Sequence, residues 1–277
     1  MLPTSVQIET FRRKGFVVIP DVFSAEELLR YGAAVDQAVA KRTVGDTRAV
    51  AEKSLYEQSF IQCMNLWETD PAVRELTFDQ ELGELGAALL GASALRIWHD
   101  QALYKEAGGR ETDAHQDQPF WPITPADQIT AWIPFDGSTR QSGAMSYLPG
   151  SHAIGLRRFV DITHTTEPYD VLADDAVVGI EPILVEAPRG SVVFHHSLTV
   201  HQAHANNTDA TRRVYCIICF ADGCTRSKPW PHVTVERQNI AVGEPIKGDV
   251  SPIVWPRPNG ELPPTPASTP PQLGYQG

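Results

Sequence analysis

Cysteine is scarce in this chain: 277 residues carry four. With no export signal in residues 1–10, which lack the basic-then-apolar pattern of a secretory leader, they read as reduced thiols of a cytoplasmic protein. Cys216 and Cys219 have CxxC spacing but lie inside an apolar run. Strand alternation sends their sulfurs to opposite faces, which disfavours both a zinc site and a redox pair. No run approaches the roughly 18 consecutive apolar residues of a membrane-spanning helix. The last four residues are neither a peroxisomal tripeptide nor a prenylation signal. Positive charge is also short, with Lys plus Arg 23 against Asp plus Glu 34 and a net charge of −11. The basic clusters Arg12-Arg13-Lys14 and Arg157-Arg158 are too small to reverse that field, so nucleic acid and anionic membrane are not expected partners. There is no internal repeat.

What is present is enough apolar material for a large core, 42% hydrophobic residues against 21% charged. Phe16-Val17-Val18-Ile19, closed by Pro20, reads as a strand. Ser24 and Glu27 form a capping-box pattern, and Leu28, Leu29, Val35 and Val39 predict a helix over 25–41. The polar stretch 41–53 reads as a loop. Asp70, Pro71 and Gly91 bracket a second predicted helix, 70–90. From residue 94 short runs rich in Val, Ile, Thr and aromatics alternate with turn residues, at 95–104, 129–135, 144–148, 180–185, 191–194 and 212–220. That texture predicts a mainly β sandwich, barrel or jelly roll supported by the N-terminal helices. A single domain over 1–250 is expected, with its β core at about 94–222 and a Pro-rich tail over 251–277. The tail cannot supply central strands or helices.

The chemistry concentrates in two places. His115 and Asp117, at i and i+2 on an extended segment, can present an imidazole and a carboxylate to one ion. A cluster of histidines, His195, His196, His201 and His204, follows a later apolar run. One more imidazole from there completes a two-His, one-carboxylate set that leaves coordination positions open. Arg212-Arg213 opens the next apolar run, and an arginine there suits a carboxylate.

In this setting the sequence resembles the phytanoyl-CoA dioxygenase family of iron(II)- and 2-oxoglutarate-dependent oxygenases. The resemblance rests on an ordered set: Gly15-Phe16-Val17-Val18 to Phe23-Ser24, His115-Gln116-Asp117, Ala131-Trp132, Gly143-Ala144-Met145 to Leu148-Pro149-Gly150-Ser151-His152, Gly190 to His195, His201, Asn206-Asn207-Thr208 and Arg212-Arg213. It implies a double-stranded β-helix (jelly-roll) core. It also implies His115, Asp117 and His201 as iron ligands, Arg212 for the far carboxylate of 2-oxoglutarate, and supporting places for Lys105 and Trp132. On 212–220 alternation lets only one of the two arginines face inward, and the family's spacing from His201 favours Arg212. On 95–105 Ile97, His99, Gln101, Leu103 and Lys105 share one face. If Lys105 points inward, Gln101 joins the cosubstrate site, and His99 is either a structural histidine or part of the pocket. The family's His-x-x-x-x-His pattern begins at His196, which assigns His196 to the pocket. His204 either supports the ligand His201, contacts substrate, or is structural, and His152 shapes a turn. Phe120 and Trp121, just after Asp117, are substrate-pocket candidates or core aromatics.

The implied activity consumes 2-oxoglutarate and O2, releases succinate and CO2, and oxidises a C–H bond of a small molecule, in accessory or secondary metabolism. Asp117 occupies the position that related halogenases vacate for chloride, so halogenation is disfavoured. An acyl-CoA hydroxylase and a non-catalytic jelly-roll binding protein are the alternatives. The loops expected to shape the substrate pocket are 41–66, 118–127 and 155–178.

Overall fold

The computed structural model of the chain describes residues 2–268. The N-terminal third is mostly helical: α1 (Ser5–Lys14), α2 (Ala25–Arg42), α3 (Leu55–Ser59), α4 (Pro71–Thr77) and α5 (Gln80–Leu90), with strands β1 (Phe16–Ile19) and β2 (Ile61–Met64) between them. Strands follow: β3 (Leu95–Lys105), β4 (Thr112–His115), β5 (Ile123–Thr124), β6 (Gln128–Pro134), β7 (Met145–Tyr147), β8 (Ile183–Val185), β9 (Val192–His196), β10 (His201–Ala203), β11 (Arg212–Ala221) and β12 (Thr225–Arg226). A short α6 (Val233–Glu236) and β13 (Ile253–Trp255) complete the order.

The strands make a jelly roll. One antiparallel sheet runs β1-β9-β6-β11-β3-β13, with β2 also on β3, and it faces a four-stranded sheet β4-β10-β7-β8. Apolar side chains fill both sides of the large sheet. On one side Leu28 and Val35 of α2 and Leu85 of α5 pack on Ile133, Phe194 and Tyr215. On the other Trp132, Val193, Val214 and Cys216 face Met145, Tyr147 and Val185 of the small sheet. Burial of this kind contributes about 1.5–3 kcal/mol per large side chain. It explains why the strands read as near-continuous apolar runs instead of alternating with polar residues.

Several local expectations need correction. Residues 70–90 form two helices, because Asp79 caps a new helix by accepting from Leu82 N at 2.9 Å while Phe78 turns into the core. The stretch 41–53 begins inside α2 and contains a 3-10 turn, Val50–Glu52. The helix α1 was not anticipated; Thr4 and Gln7 cap it reciprocally. Within the Pro-rich segment, Ile253–Trp255 joins the large sheet beside β3, where edge pairing tolerates neighbouring prolines. The end of that segment, from residue 269, lies outside the described residues.

On β3 the even alternation breaks. His99 pairs with Ile218 and Ile97 with Cys219, so Trp98 is an extra residue opposite β11. This bulge puts Ile97 in the helix-facing core and leaves Trp98 in the core between the sheets. Ile97 therefore does not share a face with His99, Gln101 and Leu103, which line the cavity between the sheets.

Candidate metal centre

The cavity between the two sheets has a volume of about 310 Å³. A polar cluster on its wall is built by strand pairing. β10 lies antiparallel between β4 and β7, and His201 is directly opposite His115. Asp117 follows two residues after the end of β4. One donor atom from each of His115, Asp117 and His201 lies within 4.8 Å of the others. The Nε2 atoms of His115 and His201 are 3.8 and 3.7 Å from Asp117 Oδ1.

The backbone sets the tautomers. His115 Nδ1–H donates to Asp113 O at 2.7 Å, and His201 Nδ1–H donates to Thr199 O at 2.9 Å. Both Nε2 lone pairs are thereby left toward Asp117. Burial pushes the His115 pKa down to about 4 and lowers that of His201 as well. Burial opposes ionisation of Asp117, but His201, His195 and His115 around it outweigh that and hold its carboxyl below the usual range. Neutral imidazoles beside an ionised carboxylate are the protonation states that metal binding requires. Two nitrogens, one oxygen and no thiolate form a donor set suited to Fe(II).

The ligand segments are tied to each other. The Gln116 amide donates to Leu198 O at 2.6 Å and Gly155 O at 3.1 Å, and accepts from Arg157 N at 2.7 Å. Gly15 O accepts from Thr199 Oγ1 at 2.8 Å. At φ +83°, Gly15 has room for no Cβ, which would lie 2.4 Å from Thr199 Oγ1.

A third histidine completes the cluster, and it is His195. Its Nε2 lies 3.3 Å from Asp117 Oδ2, and its Nδ1 is 3.1 Å from the Tyr147 hydroxyl. Thr130 Oγ1 also reaches Asp117 Oδ2, at 3.5 Å. Oδ2 is thus held from behind while Oδ1 faces the two other imidazoles. His196, assigned to the pocket from the motif, is not on the cavity wall. Along β9 it alternates with His195 to the opposite face, where its ring lies 5.6 Å from that of His152. His204 bonds Ser146 Oγ at 2.8 Å and His152 meets Arg12 O at 3.1 Å; neither lines the cavity.

The two arginines separate as alternation requires. Arg212 is buried and lines the cavity, its guanidinium 5.4 Å from the centre of the Trp132 ring. One nitrogen donates to Gly143 O, and Nε has no partner. No carboxylate among the described residues pairs with it, and burial lowers its pKa to about 10. Arg213 points to the helices, where Asp136 takes it at 2.8 and 2.7 Å and Asp36 at 2.6 Å. A buried cation without a counter-charge is costly, and it fits the far carboxylate of a dicarboxylic acid.

Trp132 and Gln101 line the cavity as expected from the motif, and so do Phe120 and Trp121. Gln101 Oε1 accepts from Gln62 Nε2 at 2.6 Å, and Gln62 Oε1 accepts from Tyr56 at 2.7 Å. Lys105 sits opposite Arg212 in the β3–β11 ladder but is not on the wall. Its stem passes against Gly143 and its amine donates to Arg110 O. Burial and the neighbouring Arg212 push its pKa down to about 6. His99 is on the wall, and so is His232, which sequence reasoning missed.

The family model described as phytanoyl-CoA dioxygenase matches residues 11–214. A phytanoyl-CoA dioxygenase domain-containing protein 1 homolog from Caenorhabditis briggsae is 25% identical over 259 residues, covering 76% of this chain and 88% of that one. A probable alpha-ketoglutarate-dependent hypophosphite dioxygenase from Stutzerimonas stutzeri is 26% identical, covering 79% and 77%. Among solved structures, the non-heme alpha-ketoglutarate-dependent carbocyclase SnoK from nogalamycin biosynthesis superposes with a TM-score of 0.72 at 26% identity, over 91% of this chain and 96% of that one. The epimerase SnoN, in complex with Fe3+, alpha-ketoglutarate and nogalamycin RO, gives 0.71 at 22% identity, over 90% and 97%, and shares the fold.

Proposed function

The chain belongs to the phytanoyl-CoA dioxygenase family, and from that premise we propose that His115, Asp117 and His201 hold its iron while Arg212 holds 2-oxoglutarate. The protein is an iron- and 2-oxoglutarate-dependent dioxygenase acting on a small molecule. The observation that carries the residue assignment is the pairing of two unmet needs in one cavity: three converging ligand atoms, and a buried guanidinium with no counter-charge.

When bound, iron and 2-oxoglutarate supply the oxidation, in which O2 is reduced, the keto acid leaves as succinate and CO2, and a substrate C–H bond is oxidised. The protein's part is placement. Asp113 O and Thr199 O fix the ligand imidazoles, and His195 with Thr130 fixes the carboxylate. Arg212, resting over Trp132 and tied to Gly143, sets where a dicarboxylate ends. Gln101 stands on the same wall and orients what lies between. Phe120 and Trp121 close the cavity beside the ligands and exclude water.

A substrate from secondary or accessory metabolism is supported by the likeness to SnoK, named for nogalamycin biosynthesis. Arg157 pairs with Asp174 at 3.6 Å, and Arg158 lies over the Tyr169 ring at 4.4 Å. Their engagement weighs against a site for coenzyme A phosphates. Four buried free cysteines support a cytoplasmic setting. Among the described residues no helix is long and apolar enough to cross a membrane.

Anaerobic titration with Fe(II) and then 2-oxoglutarate tests the assignment. A visible charge-transfer band should grow with the keto acid in the wild type and in Arg213→Ala. In Arg212→Ala it should require far more keto acid. Equal requirements in wild type and Arg212→Ala would refute the role of Arg212, and no band at all would refute the metal site.

A further inference from the structure

Three polar side chains on one wall of the cavity stand in line. Tyr56 is on α3 and Gln62 on β2, and neither has a role in the chemistry described above. The Tyr56 hydroxyl donates to Gln62 Oε1 at 2.7 Å, and Gln62 Nε2 donates to Gln101 Oε1 at 2.6 Å. All three residues line the cavity. We infer that Tyr56 and Gln62 are positioning residues, which turn the Gln101 amide so that its Nε2 donates to an oxygen of the bound keto acid. This role deepens the oxygenase reading and rests on it.

Strand register puts the line there. Gln62 is opposite Leu103 and Met64 is opposite Gln101, so the two glutamines are diagonal neighbours, within reach of long side chains. All four of these residues are on the wall, as alternation on paired strands requires. On its other side Gln101 is opposite Cys216, and Cys216 is opposite Trp132; both also line the cavity. At Gln101 β3 is covered along both edges, by β2 and β11, yet Gln101 is only half-buried. What it leaves open, it opens to the cavity. The Arg212 guanidinium lies 5.4 Å from the Trp132 ring. The rung Gln101–Cys216–Trp132 thus has the amide at one end and the Arg212 contact at the other, two strand spacings or roughly 10 Å apart. A five-carbon diacid and a glutamine side chain together span that.

The direction of the line is its chemical content. A primary amide has one donor end and one acceptor end, and nothing in its shape chooses between them. Gln62 accepts from Tyr56 with its oxygen, which leaves its NH2 for Gln101 and so takes up the Gln101 oxygen. The Gln101 Nε2 has no partner among the described residues and is the free end. Tyr56 starts the line. Burial pushes its phenol pKa up, so the hydroxyl keeps its proton. Its ring meets Phe60 edge-on at 5.1 Å, and Ser54 and Glu57 cap α3 reciprocally, which fixes where the hydroxyl stands. Aligned hydrogen bonds also polarise one another. The guest demands the same sign. Every oxygen of 2-oxoglutarate is an acceptor at neutral pH, so a wall offering Gln101 Oε1 would set lone pair against lone pair.

The test titrates 2-oxoglutarate into the full chain loaded anaerobically with Fe(II), reading the visible charge-transfer band, with Mn(II) affinity measured beside it by electron paramagnetic resonance. Gln101→Leu should raise the 2-oxoglutarate concentration at half-maximal band about tenfold, the loss expected of one hydrogen bond to a charged acceptor. Gln62→Met keeps the length of the side chain and breaks the line; it should raise that concentration about fivefold. Tyr56→Phe removes a single oxygen and frees both amides to turn; about threefold is expected. Mn(II) affinity should stay within about twofold in all three, which a general loosening of the cavity would not allow. With Leu already at position 101, neither Gln62→Met nor Tyr56→Phe should raise the requirement further. A requirement unchanged in Gln62→Met and Tyr56→Phe, or raised by them equally with and without Gln101, would overturn the proposal. A wild type that forms no band sinks the oxygenase assignment itself, whereas a band with additive losses sinks this line of residues alone.

Discussion

The two faces of the β3–β11 ladder are built from alternate residues of the same two strands, and both are buried, yet they treat polar groups in opposite ways. Facing the helices, Asp100 accepts from Leu66 N at 2.7 Å, Trp67 N at 2.8 Å and Thr77 Oγ1 at 3.1 Å, and from the Tyr215 hydroxyl. Burial pushes its pKa up to about 6, against those bonds. Both carboxylate oxygens are engaged, and the network pins the 3-10 turn Leu66–Glu68 onto the sheet. Facing the cavity, Arg212 Nε has no partner. A satisfied buried group serves the fold. An unsatisfied one in a cavity marks where a ligand belongs.

The sharpest way to break this comparison is to remove one carboxylate from each face. Asp117→Ala should lower succinate-coupled turnover by about a thousandfold or more, with little change in thermal stability. Asp100→Ala should instead lower unfolding free energy by about 3 kcal/mol in urea titrations, because two buried backbone N–H groups lose their acceptor. At low temperature its turnover per folded molecule should survive. Next in size, Arg212→Ala should raise the 2-oxoglutarate requirement about a hundredfold, the loss expected of a buried charge-assisted pair. Arg212→Met should not lower the stability of the metal-free protein, since it removes an uncompensated buried cation. Arg213→Ala should leave the cosubstrate requirement unchanged and cost at most about 1 kcal/mol, its pairs with Asp136 and Asp36 being partly exposed.

A third contrast sets neighbours on one strand against each other. His195→Gln should weaken Mn(II) binding, followed by electron paramagnetic resonance, by about tenfold, because Asp117 loses the group behind it. His196→Gln should leave metal affinity alone. Its effect should be on pH dependence. Burial pushes His196 down to about 4, below its unfolded value near 6.5. Its stability contribution is therefore complete above about pH 6.5 and declines as pH falls from there toward 4. The wild type should lose about 1 kcal/mol more than His196→Gln between pH 8 and pH 6, measured on metal-free protein.

Much of the fold was legible in the sequence because short-range signals are strong there. The run Phe16–Ile19 and the Ser24/Glu27 capping box mark elements that need no distant partner. His115, Asp117 and His201 were legible through spacing and resemblance, and alternation alone forbade both arginines from facing inward. Other residues were hidden for physical reasons. The motif frame starting at His196 concealed His195, although alternation with Val193 on β9 would have exposed it. The Trp98 bulge cannot be read from β3 alone, because it exists only relative to β11. His232 follows Pro229-Trp230-Pro231, where no periodicity operates, and only tertiary packing brings it to His99. Lys105 faces the expected side, but Gly143 and the Arg110 carbonyl divert its amine from the wall.

The most direct test of the central claim is a crystal structure of the full chain grown anaerobically with Fe(II) and 2-oxoglutarate, with anomalous data collected at the iron edge. The account predicts one strong peak bounded by His115 Nε2, Asp117 Oδ1 and His201 Nε2, and dicarboxylate density ending on the Arg212 guanidinium. A peak elsewhere, or a dicarboxylate that leaves Arg212 unpaired, would contradict it.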